Sequence, residues 1–333
     1  MTTPAHRLLL APLAAGLLLL PAGPAAAQAA LTVPAKVAAA SFGPNEAAAC
    51  PTYGVAGTVL DGIAREAGKR GVAAPPADGR LCALATILLD WKSDDLPPAA
   101  ALLAVARGLG LTNPPQQLVL TTFDTEDPRE MARALAGGLL ETTGRSASPA
   151  IGFASKRLAK GSTRAVLLAS DAAFQHAPLP RTLPPGGTAS FKGTLLGGWQ
   201  KAVVVVSDAR GVMKEYPAPA GDTFSADLAC GDRPGRVVLV LRAEKDGQER
   251  RLATIPVGCG EALPTTVPIA EEAWPDDAAV QARRIFERIG AERASAGLPP
   301  LAWSDAVAGV AVALSQDLAD EHAVLVGEVR AVG

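Results

Sequence analysis

Imidazole side chains, which many catalytic and metal sites require, are scarce in this sequence. Its 333 residues include three histidines: His6, His176 and His322. His322 follows Glu321 directly, and a carboxylate beside an imidazole is a donor pair that metal sites use. The pair lies beyond the last clear helical pattern, which favours a solvated position. His176 stands alone in a proline-rich stretch and is also expected to be solvated, so the histidines predict neither a metal site nor a Ser-His-Asp triad.

A run of acidic residues, Asp124, Glu126 and Asp127, offers oxygen ligands of the kind that divalent metals use. The run stands where a helix is expected to begin, so helix capping explains it better. The sequences G-x-S-x-G, H-E-x-x-H and the Walker loop do not occur. The sequence therefore indicates no catalytic residue, no metal ligand and no cofactor, and it favours a protein that is not an enzyme.

The first 27 residues have the pattern of a secretory signal peptide. His6 and Arg7 form a short basic region, and the apolar run Leu8–Leu20 is too short to span a bilayer. Small residues then predict cleavage after Ala27. No later apolar run is long enough to cross a membrane. We expect a mature protein that is secreted, periplasmic or held in the cell envelope.

Export gives the four cysteines a role. Cys50, Cys82, Cys230 and Cys259 are an even number in an oxidising compartment, and none forms a C-x-x-C pair that would favour zinc. Four cysteines allow three connectivities. The spacing and the expected domains favour Cys50–Cys82 and Cys230–Cys259.

The formal net charge of −2 gives no sign of a nucleic-acid partner, and the length suits two or three domains. Residues 36–178 predict a mostly helical α+β domain closed by a small β element. Its helical patterns cover 55–69, 80–91, 97–109 and 128–140, and its strand patterns cover 118–123, 150–155 and 164–169.

The periodicity changes to two in residues 179–262, where turn signals crowd in. Six or seven short strands at this spacing predict an immunoglobulin-like β-sandwich. Asp246-Gly247 is the expected turn of its longest hairpin. Residues 263–275, rich in proline and threonine, predict a linker.

Two amphipathic helices follow, within residues 279–318. Ala282, Ile285, Phe286 and Ile289 share a face of the first helix, and Val307, Val310, Ala311 and Leu314 share a face of the second. Gly297 ends the first helix and Pro299-Pro300 prevents its continuation. Ser304 is the expected N-cap of the second.

The joint between these helices reads R-x-x-x-G-L-P-P-L-x-W-S-D. It resembles the opening of a CAP domain, the superfamily of cysteine-rich secretory proteins, antigen 5 and pathogenesis-related 1 proteins. The residues that carry the resemblance are Arg293, Gly297, Leu298, Leu301, Trp303 and Asp305, with Val307 and Ala311 in the helix that follows. Gly290 stands where the family usually has Asn, and Leu314 where it often has His.

The resemblance implies a three-layer α-β-α domain of about 110–150 residues, of which residues 276–333 would form the first part. The family's first pocket histidine is expected near Val326, and no histidine stands there. The resemblance therefore indicates the family, while this sequence lacks the residues of the family's metal site. Residues 36–178, with helices before a final antiparallel pair, would also suit a degenerate form of the same architecture.

The fold class expected overall is α+β and multidomain: a mostly helical domain, a β-sandwich and an incomplete CAP-like helical hairpin. The favoured function is an exported, non-enzymatic extracellular or cell-surface binding protein, with an unknown protein, glycan or lipid as ligand. One alternative is an exported CAP-type metal-dependent hydrolase whose site is missing or degenerate here. Another is the truncated remnant of a longer protein.

Export yields a direct prediction. Protein recovered from the periplasm or the culture medium should begin at or near Gln28, because the signal peptidase cleaves after the small residues that end at Ala27. N-terminal sequencing measures this. Cytoplasmic protein that retains Met1 would contradict the secretion hypothesis.

Overall fold

The computed structural model combines helices with several small sheets, so the protein is α+β. Described here are residues 29–43, 49–91, 96–113, 115–143, 148–158, 161–208, 210–218, 221–269, 277–295 and 299–315. Within these ranges, no helix is both long and apolar enough to cross a lipid bilayer.

A helix–sheet unit occupies the first half of the chain. Its elements are α1 (Gly54–Lys69), α2 (Gly79–Leu89), α3 (Ala99–Gly108), β3 (Gln117–Phe123), α4 (Pro128–Thr143), β4 (Pro149–Arg157) and β5 (Thr163–Asp171). Asp78 caps α2 by accepting a hydrogen bond from Arg80 N at 2.8 Å. Asp127 caps α4 by accepting a hydrogen bond from Arg129 N at 2.9 Å, as expected, whereas Glu126 of the acidic run is ion-paired with Arg157.

The unit has three layers, because its sheet is buried on both faces. The strands are antiparallel in the order β3-β5-β4. Val166 and Leu168 of β5 pack with α2 and α3, whereas Ala165 and Leu167 pack with α1 and α4. This alternation along one strand gives each pair of helices its own apolar surface.

The second unit consists of two sheets that enclose one core. Its strands are β6 (Phe174–His176), β7 (Leu179–Pro180), β8 (Thr182–Leu183), β9 (Thr188–Leu195), β10 (Gln200–Ser207), β11 (Met213–Pro217), β12 (Thr223–Ala229), β13 (Gly235–Lys245) and β14 (Gln248–Cys259). One sheet has the order β11-β10-β13-β14-β8, the other β12-β9-β6. Alternate residues point inward, among them Phe191, Phe224, Leu239 and Ile255, so the unit is a β-sandwich that begins at Phe174, before the expected boundary at Leu179.

Two disulfides join the cysteine pairs favoured by the spacing. Cys50 is bonded to Cys82 and Cys230 to Cys259, with Cα atoms 5.5 and 5.4 Å apart. The first ties the segment before α1 to α2, and the second ties the ends of β12 and β14. Each closes a loop of about 30 residues, which stabilises a domain by about 3–4 kcal/mol in loop-closure estimates.

Three further strands connect the two units. β1 (Ala29–Thr32) pairs antiparallel with β15 (Thr266–Ile269), and the ribbon packs on α3 through Leu31 and Val267. β2 (Ser41–Phe42) pairs with β7. The expected linker 263–275 therefore contains a strand that returns to the helix–sheet unit, and its residues 270–275 lie outside the described part of the chain.

A hairpin of α5 (Ala278–Ser295) and α6 (residues 305–315) follows. Asp277 Oδ1 caps α5 by accepting Ala279 N at 2.8 Å, and Ser304 Oγ accepts Val307 N at 3.4 Å, as predicted. The apolar stripe of the hairpin is 45–69% exposed; it consists of Val280, Ile285, Ile289, Leu301, Val307, Val310 and Leu314.

The contact between α2 and β4 gives a prediction. A Cβ added to Gly152 would lie 2.2 Å from the Leu81 carbonyl carbon, whereas one added to Gly137, in α4, would meet no atom within 4 Å. Gly152→Ala should lower the free energy of unfolding by about 1–3 kcal/mol through overpacking. The matched control Gly137→Ala should raise it by about 0.5–1 kcal/mol, because alanine favours helix. Urea denaturation measures both, and equal effects would show that helix and sheet are not in contact at Gly152.

Candidate functional site

The residues of the CAP-like motif make the joint between α5 and α6. Arg293 Nε donates to Pro299 O at 3.0 Å. Trp303 Nε1 donates to Asp305 Oδ1 at 2.6 Å, and the Trp303 ring packs edge-on against Phe286 with 5.1 Å between centroids. Leu301 is exposed. Gly297, Leu298 and His322 lie outside the described residues. The described residues of the joint include no group of three His, Cys, Asp or Glu side chains that could hold a metal ion.

His176 is buried, not solvated, because it lies where the two units meet. Only 7% of it is exposed. Its Nδ1 lies 2.7 Å from the carbonyl oxygen of Ala177, so Nδ1 carries the proton, and Nε2 accepts from the Thr112 hydroxyl at 3.1 Å. Burial lowers the pKa of His176 and the charge of Arg80 lowers it further, while the bond to Ala177 opposes them. The imidazole is held neutral as a structural group.

Arg80 holds the helix–sheet side of this junction. Its guanidinium is ion-paired with Asp78 at 2.5 Å and donates to the carbonyl oxygens of Gly43 and Gly110. Burial raises the pKa of Asp78, but the hydrogen bonds and the charge of Arg80 outweigh burial and hold that pKa below its usual value. A Cβ on Gly43 would lie 2.8 Å from the His176 ring.

Residues 39–43, which we call the bridging segment, are hydrogen-bonded to both units. Ala39 N and Gly43 N donate to the carbonyl oxygens of Gly108 and Gly110 at 3.1 Å each. From the sandwich, Arg181 N donates to Ala40 O at 3.0 Å and Arg181 Nη1 to Ala39 O at 2.8 Å. The Arg181 guanidinium lies over the Phe42 ring, and Phe42 is buried in the core of the sandwich.

An open cleft of about 570 Å³ lies beside this junction, between the two units. We call it the interdomain cleft. Its lining comes from the start of β3, the end of β5, the β9–β10 turn and the β13–β14 hairpin: Asn113, Gln116, Asp171, Ala172, Ala173, Leu196, Gly197, Trp199, Lys245, Arg250, Arg251 and Leu252. Its volume lies in the range of small-molecule sites in proteins.

The helix–sheet wall of the cleft is polar and braced. Asp171 N donates to Gln116 Oε1 at 2.6 Å, and Gln116 Nε2 donates to Asp171 O at 3.3 Å. One carboxylate oxygen of Asp171 accepts Ser148 N at 2.9 Å. These bonds fix Gln116 and Asp171 in place, with the second carboxylate oxygen of Asp171 available as an acceptor.

The sandwich wall presents an aromatic ring and three cations. Trp199 is partly buried against the sandwich core, and Lys245 Nζ lies 5.8 Å from its ring centroid. Leu241 pairs with Ala253 and Arg242 with Arg251, so Leu252 forms a bulge beside Arg250 and Arg251. A bulge redirects the side chains around it and is frequent next to binding sites.

The cations of the cleft differ from those on the neighbouring strands. Arg242 is ion-paired with Glu215 and Glu249, and Lys201 with Glu244. No described carboxylate lies within 4.0 Å of Lys245, Arg250 or Arg251. The cleft thus carries three unpaired positive charges and the one carboxylate of Asp171.

Positive charge also lies on α3, near Arg251. Burial lowers the pKa of Arg107, and the charge of Arg251, on the other unit, lowers it further.

The cleft is lined by hydrogen-bonding groups, cations and an aromatic ring, which are groups that contact ligands in proteins. Across the described part of the chain, no three His, Cys, Asp or Glu side chains lie close enough together to hold a metal ion. No sequence motif marks the cleft, because its residues come from positions 113 to 252. One signal of it in the sequence is the basic triplet Lys245, Arg250 and Arg251 around a hairpin turn.

No family model matches the chain, and no curated protein matches it significantly. The resemblance to the CAP superfamily therefore depends on the motif residues alone.

Burial of a neutral His176 predicts a pH dependence of stability. His176 is protonated near pH 6.5 in the unfolded chain and only at lower pH in the folded chain. The stability that its neutral form contributes is therefore fully present above about pH 6.5 and is lost as the pH falls below it. His176→Asn should be less stable at pH 8 but change less between pH 8 and 5, since Asp78 titrates below this window. Urea denaturation at each pH measures this. A mutant profile parallel to that of the wild type would show that His176 does not carry the dependence.

Proposed function

We propose that the chain is an exported, non-enzymatic binding protein whose ligand occupies the interdomain cleft. The observation that carries the proposal is the composition of that cleft. Its sandwich wall has an aromatic ring and three cations that have no carboxylate partner among the described residues, and its helix–sheet wall has Gln116 and Asp171. Braced hydrogen-bonding groups and unpaired charges suit a site that holds a ligand. The partner class is an extracellular one, because the proposal includes export.

The cysteines support export. The chain carries two disulfides and no free cysteine among its described residues, a composition typical of oxidising compartments. Secretion or retention in the cell envelope agrees with this composition.

The sandwich is proposed to be immunoglobulin-like. Its larger sheet runs β11-β10-β13-β14-β8, with the short β8 parallel to β14, and its smaller sheet runs β12-β9-β6. In an immunoglobulin domain the first, second, fourth and fifth strands form one sheet, and the third, sixth and seventh form the other. Here β6, β9 and β12 would be the first, second and fifth strands, and β10, β13 and β14 the third, sixth and seventh. Such domains often act as spacers or binding surfaces outside cells.

The CAP resemblance remains a proposal and has two supports in the structure. The motif residues Arg293, Trp303 and Asp305 form the predicted joint between two helices. The helix–sheet unit has three α-β-α layers, the architecture that the resemblance implies. A second, degenerate copy of that architecture at the start of the chain would account for this layering.

A metal assay separates binding protein from hydrolase. Zinc and calcium titrated by calorimetry into the mature protein should give no stoichiometric heat, since a hydrolytic site needs several convergent donors. Peptide and ester substrates should not be cleaved above the buffer rate.

The same titration with His322→Ala is the control. Micromolar, stoichiometric metal binding that this substitution abolishes would contradict the proposal and support the hydrolase.

A further inference from the structure

The ligand of the interdomain cleft can be narrowed by its chemistry. We propose that the cleft binds an acidic saccharide, a short run of sugar rings that carry carboxylate groups. This inference depends on the proposed function, in which the cleft is the ligand site. It follows from the cations, the aromatic ring and the polar groups that line the cleft.

The cations require an anionic partner. Lys245, Arg250 and Arg251 line the cleft without a carboxylate within 4.0 Å among the described residues. Arg250 is held by one hydrogen bond, from its Nη2 to Gln248 Oε1 at 3.1 Å. A guanidinium group binds a carboxylate with two parallel hydrogen bonds, so Arg250 and Arg251 suit planar carboxylates better than diffuse charge.

Trp199 requires a partner with an apolar face. The indole is partly buried against the sandwich core and lines the cleft with the rest of its surface. A sugar ring presents C–H groups on its faces and hydroxyl groups at its edge, so it can stack on an indole while its edge remains hydrogen-bonded. Lys245 Nζ lies over the indole ring, 5.8 Å from its centroid, so a sugar would stack beside the ammonium group, and that group would meet a charge at the edge of the sugar.

The opposite wall suits sugar hydroxyl groups. One carboxylate oxygen of Asp171 accepts the hydrogen bond from Ser148 N, and the other accepts none from the described residues. No described residue is hydrogen-bonded to the side chain of Asn113, which also lines the cleft. The carboxylate accepts hydrogen bonds from hydroxyl groups, and the amide both donates to them and accepts from them. The cleft combines three cations with one carboxylate in a chain of net charge −2, so it lacks the extended basic surface of a nucleic-acid site. The hydroxyl-binding wall therefore favours a saccharide over a nucleic acid.

The test is a calorimetric titration of the mature protein with tetragalacturonate, an acidic tetrasaccharide. Maltotetraose, which is neutral, and a single-stranded tetranucleotide serve as competing probes. We expect stoichiometric binding of tetragalacturonate that is at least about tenfold tighter than that of either competitor, and that weakens as sodium chloride is raised.

Variants locate the site. Lys245→Ala and Arg251→Ala should each weaken tetragalacturonate binding about tenfold, the usual effect of losing a hydrogen bond between charged groups. Trp199→Leu keeps an apolar side chain against the core and should weaken binding as well. Lys201→Ala is the matched control, because Lys201 lies on the same sandwich but is paired with Glu244, and it should bind like the wild type. Thermal unfolding checks that each variant is folded.

Four results would overturn the inference. They are equal binding of maltotetraose, tighter binding of the tetranucleotide, wild-type affinity in the Lys245 and Arg251 variants, and absence of any binding. The wider proposal of a non-enzymatic exported protein would then still be decided by the metal titration, the hydrolysis assay and the N-terminal sequence, which do not involve the cleft.

Discussion

The arrangement of the two units depends on the hydrogen bonds of five residues, 39–43. This bridging segment crosses from one unit to the other, so its backbone donors and acceptors would be costly to bury without partners. Ala39 N and Gly43 N are satisfied by the end of α3, and the carbonyl oxygens of Ala39 and Ala40 by Arg181 of the sandwich. One strand thus belongs to both units, with Phe42 buried in the sandwich core. The interdomain cleft exists because this segment fixes the distance between its walls.

The polar groups around the segment explain why the junction specifies one arrangement. Arg80 donates hydrogen bonds to Gly43 O and Gly110 O, and Asp78 neutralises the charge of its guanidinium group. At Gly110, φ is +80° and an added Cβ would lie 2.6 Å from Ser41 O, so only glycine allows the segment to approach this closely. His176 fits against Gly43 as a neutral ring with both nitrogens bonded. A different angle between the units would leave several of these buried groups without partners.

Long elements were predictable from the sequence, and short ones were not. The runs that form β10 and β13 are long and apolar, Asp246-Gly247 forms the expected hairpin turn, and Ser304 caps α6 as its position suggested. β2, β7 and β8 have two residues each, and proline in β7 suggested a linker. Their pairing depends on partners more than 70 residues away, which periodicity cannot detect.

The candidate site could not be predicted from the sequence for the same reason: its residues are far apart in the chain. Its residues have ordinary local roles: Gln116 precedes a strand, Asp171 ends one, and Trp199 follows a turn. They come together only when β6 joins the sandwich directly after β5 leaves the helix–sheet unit. His176 was misjudged as solvated for the same reason, because proline-rich sequence around it hid a strand that is buried in the junction.

We infer that the bridging segment holds the two units in one fixed arrangement. Hydrogen–deuterium exchange of the mature protein tests it directly, through the backbone amides of Ala39, Gly43 and Arg181, which donate across the junction. The account predicts that these amides exchange as slowly as those in the centre of β13, and that they become faster together in Arg181→Ala while β13 stays protected. Exchange of these amides at the rate of an open loop in the wild type, with β13 protected, would contradict it.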